Sequence, residues 1–171
     1  MRVLVTGGVR SGKSRHAEGL VSGLVSGLVR YVAPGPQRDD ADWAARIAAH
    51  RARRPPEWET VETRDLAAAL ATDRPVLVDC LGTWLTGVID EAGRWDDPQD
   101  VLAPWVDGLV DHAVAAMRGD VVLVTNEVGL GVVPEHRSGR LFRDLLGSVN
   151  QRFGAACDEV HLVVAGRVLR L

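Results

Sequence analysis

The sequence predicts an α/β fold, a three-layer sandwich around a mostly parallel sheet. Short β-rich runs alternate along the chain with helical patterns. Several of the runs (VLVT, VLVD, VVLVT, HLVV) are apolar on both faces, as parallel strands are when helices cover each side of the sheet. The 171 residues, 46% hydrophobic and 25% charged, are enough for one domain over 1–171 with a real core, and they lack the bias of a disordered or fibrous chain.

The elements follow in order. Strands are expected at Arg2–Thr6, Val29–Ala33, Val76–Cys80, Val121–Thr125 and Glu159–Ala165, with a possible edge strand at Val168–Arg170. A glycine-rich turn and a helical run follow the first strand. The near-repeat VSGLVSGLV, Val21–Val29, reads as the frayed end of that helix running into the second strand. Its Gly19, Gly23 and Gly27 spacing resembles a membrane packing motif, but the eleven apolar-rich residues from Gly19 to Val29 fall short of the roughly 20 that a span needs. Asp39–Arg54 reads as a short helix, acidic at its start and Arg-rich toward its end, stopped by Pro55-Pro56. Leu102, Trp105, Val106, Leu109, Val110, Ala113 and Met117 form one helical stripe. Leu141, Leu145, Leu146, Val149 and Phe153 form another, after a helix start at Pro134-Glu135-His136.

A net charge of −3 argues against a general nucleic-acid binder. Of the 20 cationic residues, 19 are Arg and one is Lys13. The two cysteines, Cys80 and Cys157, have neither CxxC nor metal-site spacing and are expected to be buried free thiols in a reducing compartment. The opening MRVLVTGG carries too short an apolar run for a signal peptide, so a soluble, cytoplasmic protein is expected.

The sole lysine marks the chemistry. Gly7-Gly8-Val9-Arg10-Ser11-Gly12-Lys13-Ser14 fits G-x-x-x-x-G-K-[ST], directly after a strand and before a helix. Glycines let consecutive N–H groups turn inward around phosphate, and the helix N-terminus adds its dipole. Lys13 is then expected to reach the β- and γ-phosphates, and the Ser14 hydroxyl to hold Mg²⁺. A second metal ligand is expected from Asp79, which closes the run Pro75-Val-Leu-Val-Asp79 at the strand's carboxyl end, where such sheets bind ligands. Glu127 is another acidic candidate at that edge. The fold class thus sharpens to a P-loop nucleoside-triphosphatase sandwich.

Among the five histidines, His16, His112, His136 and His161 read as structural or surface residues. His50 shares a helix face with Arg46, Arg53 and Arg54. That face suits polyphosphate, and the arginines would keep the imidazole neutral and nucleophilic. Spacing alone fits equally well a solvated basic face with an incidental histidine.

GGVRSGKSRHAE (Gly7–Glu18), RIAAHRARRPPEW (Arg46–Trp58), VDCLGTWLT (Val78–Thr86), VTNEVGLGVVPEHRSGRLFRDLLGSVNQR (Val124–Arg152) and DEVHLVVAG (Asp158–Gly166) together resemble the bifunctional adenosylcobinamide kinase/adenosylcobinamide-phosphate guanylyltransferases of cobalamin biosynthesis. The resemblance covers nearly the whole chain. It implies that the aminopropanol hydroxyl of adenosylcobinamide takes the γ-phosphoryl of GTP or ATP. It also implies that a histidine, here His50, attacks the α-phosphorus of GTP, releases pyrophosphate and passes GMP to adenosylcobinamide phosphate, giving adenosylcobinamide-GDP. By the same resemblance Gly7–Ser14 bind triphosphate. The resemblance further implies that Ala33, Pro34, Gly35, Arg51, Ala52, Arg53, Arg54, Glu62 and Asp79 line the GTP site and that the chain forms a homotrimer. The sequence departs from the family pattern at Ala49, where many relatives carry the first of two adjacent histidines. It departs also at Pro34 (often Thr), Asp79 (often Glu), Gly87 and His136 (usually Asn). Two other functions fit the phosphate loop: a small-molecule kinase without guanylyl transfer, and a nucleotide-sensing switch with Gly35–Asp42 as its mobile loop.

Overall fold

A computed structural model describes residues 1–24, 28–35, 48 and 54–171. Over these residues the strands are β1 (Arg2–Gly7), β2 (Arg30–Val32), β3 (Glu59–Val61), β4 (Val76–Asp79), β5 (Val121–Val124), β6 (Glu159–Val164) and β7 (Arg167–Arg170). The helices, numbered over the described residues, are α1 (Lys13–Ser22), α2 (Leu66–Leu70), α3 (Leu81–Ala92), α4 (Gln99–Ala116) and α5 (Arg137–Ala155). The strands form one sheet in the order β3-β2-β4-β5-β1-β6-β7. Neighbours run parallel except β6 and β7, which pair antiparallel.

Apolar strand faces alternate between two cores. Leu4, Val32, Val76, Val78, Val121 and Leu123 face a core built with α2, α3, α4 and α5. Val3, Val5, Tyr31, Leu77, Val122 and Val124 face the other, with Ala17 and Val21 of α1 and with Trp58. The predicted stripe of α5 is buried throughout (Leu141, Leu145, Leu146, Val149 and Phe153); that of α4 is buried at Leu102, Val106, Val110 and Ala113, with Trp105 and Leu109 half-buried against the same core. The three-layer α/β reading therefore holds. No helix among the described residues is long and apolar enough to cross a membrane.

Several boundaries shift. The expected strands Val29–Ala33, Val76–Cys80, Val121–Thr125 and Glu159–Ala165 are shorter, Arg30–Val32, Val76–Asp79, Val121–Val124 and Glu159–Val164. Cys80 is lost from its strand because it caps α3. Ala165 is lost because its φ of 49° begins the turn into β7. The edge strand is real and starts one residue early, at Arg167. β3 was not anticipated: three residues with largely exposed side chains carry no apolar period. All of the expected Asp39–Arg54 helix except Ala48 and Arg54 lies outside the described residues.

Phe153 ties α5 to α3. It is fully buried, and its ring meets Trp84 edge-on with centroids 6.4 Å apart at 77°. The Trp84 indole N–H donates to the Arg64 carbonyl at 2.9 Å, so the ring cannot slide into a vacated space without losing that bond. Phe153→Ala is expected to destabilise the fold by about 3–5 kcal/mol, read as a lower denaturant midpoint at unchanged slope.

Candidate active site at the carboxyl edge of the sheet

Parallel strands bring their carboxyl ends to one edge. There β1 ends at Gly7, β2 at Val32, β3 at Val61, β4 at Asp79 and β5 at Val124. The glycine loop, residues 33–35, residues 62–64, Asp79 and the Asn126–Glu127 segment all leave the sheet at this edge. In open α/β sheets that is where ligands bind.

The loop is held by its own turns and by both neighbouring strands. The Ser11 N–H donates to the Gly8 carbonyl at 3.3 Å, and the His16 N–H to the Gly12 carbonyl at 3.0 Å. From the β5 side the Glu127 N–H donates to the Gly7 carbonyl at 3.2 Å; from the β6–β7 turn the Gly166 N–H donates to the Ser11 carbonyl at 2.8 Å. Gly12, at φ 98°, sits in the left-handed region and caps α1 without a side-chain acceptor, so no cap side chain occupies the first-turn N–H groups of α1. Arg10 also has positive φ, 56°. At Gly7 a Cβ would lie 2.4 Å from the Val163 carbonyl oxygen and 2.8 Å from Ser11 Oγ. Lys13 Nζ donates to the Gly8 carbonyl at 3.1 Å, which lays the ammonium along the loop. The hydroxyls of Thr6 and Ser11 are buried and have no hydrogen-bond partner among the described residues.

Asp79 enters from β4, one strand removed from β1. The chain's single tyrosine, Tyr31, donates its hydroxyl to Asp79 Oδ2 at 3.4 Å. Burial, reinforced by the Asp79 carboxylate, pushes the Tyr31 hydroxyl far above its ordinary range, so it stays a neutral donor. The Arg54 guanidinium lies 3.7 Å over the Tyr31 ring and donates to Thr60 Oγ1 at 3.0 Å. Tyr31 thus links the only described arginine of the basic segment to the carboxylate at the end of β4.

The peptide bond between Asp79 and Cys80 is cis. Burial and Asp79 raise the Cys80 thiol, while Thr83 and the nearby Lys13 ammonium pull the other way. Cys157 is pushed up to about 11, chiefly by burial. Both thiols are free, as expected, but half-buried rather than buried. The reason is position: Cys80 caps a helix and Cys157 lies in the turn between α5 and β6, so neither sits mid-element.

A cleft of about 290 Å³ opens between the loops after β2 and β3, lined by Ala33, Pro34, Gly35, Glu62, Thr63 and Arg64. The structure therefore brings Ala33, Pro34 and Gly35 together with Glu62. Thr63 and Arg64 were not anticipated, though they adjoin Glu62 in sequence. His50, Arg46, Arg51, Ala52, Arg53 and Ala49 lie outside the described residues. Glu127 Oε1 accepts the Gly129 N–H at 2.7 Å. His16 and His161 pair at 2.9 Å, and His161 Nε2 meets Glu159 Oε2 at 2.8 Å, a structural tie between α1 and β6. Tyr31 was missed altogether; as a lone tyrosine on a strand it reads as core.

Ser14 and Asp79 supply hard oxygen donors, the kind that Mg²⁺ takes. No group of three or more His, Cys, Asp or Glu able to hold a metal occurs among the described residues. Their chemistry is that of ligands to a cation that takes the rest of its shell from phosphate oxygens and water.

A family model described as cobinamide kinase / cobinamide phosphate guanyltransferase matches residues 3–171. The chain is 44% identical to the bifunctional adenosylcobalamin biosynthesis protein CobU of Salmonella typhimurium strain LT2, with 97% of each chain covered. It is 42% identical to CobU of Escherichia coli K12 at the same coverage. It is 41% identical to the bifunctional adenosylcobalamin biosynthesis protein CobP of Pseudomonas aeruginosa PAO1, covering 97% of this chain and 94% of the relative.

The tight seat of Gly7 gives a direct check. Gly7→Ala is expected to force β1 and β6 apart at the loop and to weaken nucleoside-triphosphate binding by at least tenfold in calorimetric titration. The circular dichroism spectrum should be kept.

Proposed function

The chain belongs to the cobinamide kinase / cobinamide phosphate guanyltransferase family, and we propose that it carries both reactions on adenosylcobinamide at the carboxyl edge of its sheet. The observation that carries this reading is the glycine loop, with the chain's sole lysine folded along it, opposite Asp79 in a chain matched to the family from residue 3 to 171. In the first reaction the aminopropanol hydroxyl attacks the γ-phosphorus of GTP or ATP. The new O–P bond forms as the bond to the nucleoside diphosphate breaks, and catalysis rests on positioning and charge compensation. Lys13 compensates the β- and γ-phosphate charge. The loop amides of Gly7–Ser14 and the Ser11 hydroxyl, buried without a described partner, hold phosphate oxygens. Ser14 and Asp79 hold Mg²⁺, which supplies further positive charge to the triphosphate.

In the second reaction the neutral imidazole of His50 attacks the α-phosphorus of GTP, and pyrophosphate leaves. A phosphate oxygen of adenosylcobinamide phosphate then displaces the imidazole and takes GMP. Arg46, Arg53 and Arg54 stabilise the departing pyrophosphate and oppose protonation of His50. Ala33, Pro34, Gly35, Arg51, Ala52, Glu62 and Asp79 border the GTP site. The supporting feature here is the cleft after β2 and β3, with the Arg54–Tyr31–Asp79 contact beside it. The assembly is a cytoplasmic homotrimer.

The two halves separate by mutation. Lys13→Ala is expected to lower phosphorylation of adenosylcobinamide by about 10²–10³-fold, the scale of losing one preorganised charge donor, measured in a variant of unchanged melting temperature. Full activity in such a variant would remove Lys13 from the site. For the covalent half, α-³²P-GTP should label the wild type through an acid-labile, alkali-stable N–P bond. His50→Ala should lose both label and guanylyl transfer while it retains phosphorylation. A label that survives in His50→Ala would move the nucleophile elsewhere. No label in the wild type would leave a kinase without covalent guanylyl transfer, the reading favoured by Ala49 at the position where many relatives carry another histidine.

A further inference from the structure

β5 lies between the strand that carries the phosphate loop and the strand that ends in Asp79. Whatever leaves its carboxyl end is therefore wedged between the two. Asn126 and Glu127 leave there. The Glu127 N–H is bonded to the Gly7 carbonyl at 3.2 Å. On the other side, a Cβ at Gly82 would sit 3.6 Å from Asn126 Nδ2, which puts the Asn126 amide against the first turn of α3, directly after Asp79 and Cys80.

The height of this exit is fixed by a polar pair at the margin of the core, a buried threonine and a half-buried asparagine. Thr125 is fully buried after the run Val121–Val124, a place where another valine would bury as well. Its hydroxyl donates to Asn150 Oδ1 at 2.5 Å, and Asn150 Nδ2 donates to the Asn126 carbonyl at 3.0 Å. The two bonds fix the orientation of the Asn150 amide, oxygen toward Thr125 and nitrogen toward Asn126. Buried polar groups bonded in this way favour a single geometry, because any slip of the exit leaves two donors unpaired.

We propose that Thr125 and Asn150 are positioning residues for phosphoryl transfer, setting Asn126 and Glu127 between the phosphate loop and Asp79. The inference rests on the kinase reading above. Thr125→Val, nearly isosteric, removes only the hydroxyl, and Asn150→Asp turns the donor facing the Asn126 carbonyl into an acceptor. Each is expected to lower kcat for adenosylcobinamide phosphorylation at least tenfold, with the nucleotide KM within about twofold of wild type. Amide exchange of residues 126–129, read by mass spectrometry, should speed up while the melting temperature stays within a few degrees. Thr125→Ser should restore both exchange and kcat. Unchanged exchange in both variants would overturn the pairing. Faster exchange with unchanged kcat would overturn its link to catalysis. A joint fall of kcat, nucleotide binding and melting temperature that Thr125→Ser does not repair would reduce the pair to a structural role. If the wild type fails to phosphorylate adenosylcobinamide, the kinase reading falls by itself; exchange, together with basal nucleotide hydrolysis in place of kcat, then decides the positioning role.

Discussion

The site depends on a loop clamped from both sides. A glycine loop alone has many conformations, and its amides would face one point only part of the time. Here the Gly7 carbonyl is held by the exit of β5 and the Ser11 carbonyl by the turn after β6. Both partners are themselves fixed by the parallel register: Val5 lies opposite Val124 on one side and His161 on the other. The loop therefore inherits the rigidity of the sheet, and its missing Cβ at Gly7 is what allows β6 to come close enough to clamp it. Preorganised donors of this kind act on phosphate charge without reorganising as the charge moves.

The same register sets the distances across which charge is shared. Asp79 pairs with Val124, and Val124 with Val5, so the carboxylate stands level with the last residues of β1, one strand away. A carboxylate at a half-buried strand end needs donors, and Tyr31 provides one from the next strand outward. Because burial holds the phenol neutral, Tyr31 donates without adding a negative charge beside Asp79. Arg54 over its ring then brings a cation to the same place. Cationic and anionic groups are thereby layered across β2 and β4, an arrangement that suits a nucleotide carrying both phosphates and a metal.

Much of this was legible in the residues because the relevant signals are local. The strands β1, β4, β5 and β6 each hold an apolar run (Val3–Val5, Val76–Val78, Val121–Val124 and Leu162–Val164), and Lys13 announces itself as the only lysine after a strand and two glycines. What stayed hidden is what depends on neighbours far apart in the chain. β3 exists because β2 offers it a parallel edge, and its own three residues carry no pattern. Tyr31 and Asp79 are 48 residues apart, and Thr125 and Asn150 are 25 apart, so no window of sequence displays either contact. The half-burial of Cys80 and Cys157 likewise follows from where elements stop, the feature that periodicity locates least well.

The hydroxyls of Thr6 and Ser11 have no partner among the described residues. A buried hydroxyl without a partner costs on the order of 1–3 kcal/mol, so keeping one on β1 and one in the loop, neither partnered among the described residues, gives up stability. Neither is forced by the backbone: an apolar residue could bury in place of Thr6 on β1, and Ser11 lies in a turn that many residues could occupy. Gly7, whose absent side chain leaves Ser11 Oγ the space it occupies, follows Thr6 in the chain. Their cost makes sense if a ligand rich in acceptors removes it, because the binding free energy then includes relief of the orphaned donors as well as the attraction of Lys13 and the loop amides. An anion such as a triphosphate has the acceptors to do this, whereas an apolar ligand would leave the penalty in place. Under the function proposed above, the Ser11 hydroxyl therefore biases the loop toward phosphate by a route independent of net charge, which the chain's overall value of −3 would otherwise oppose.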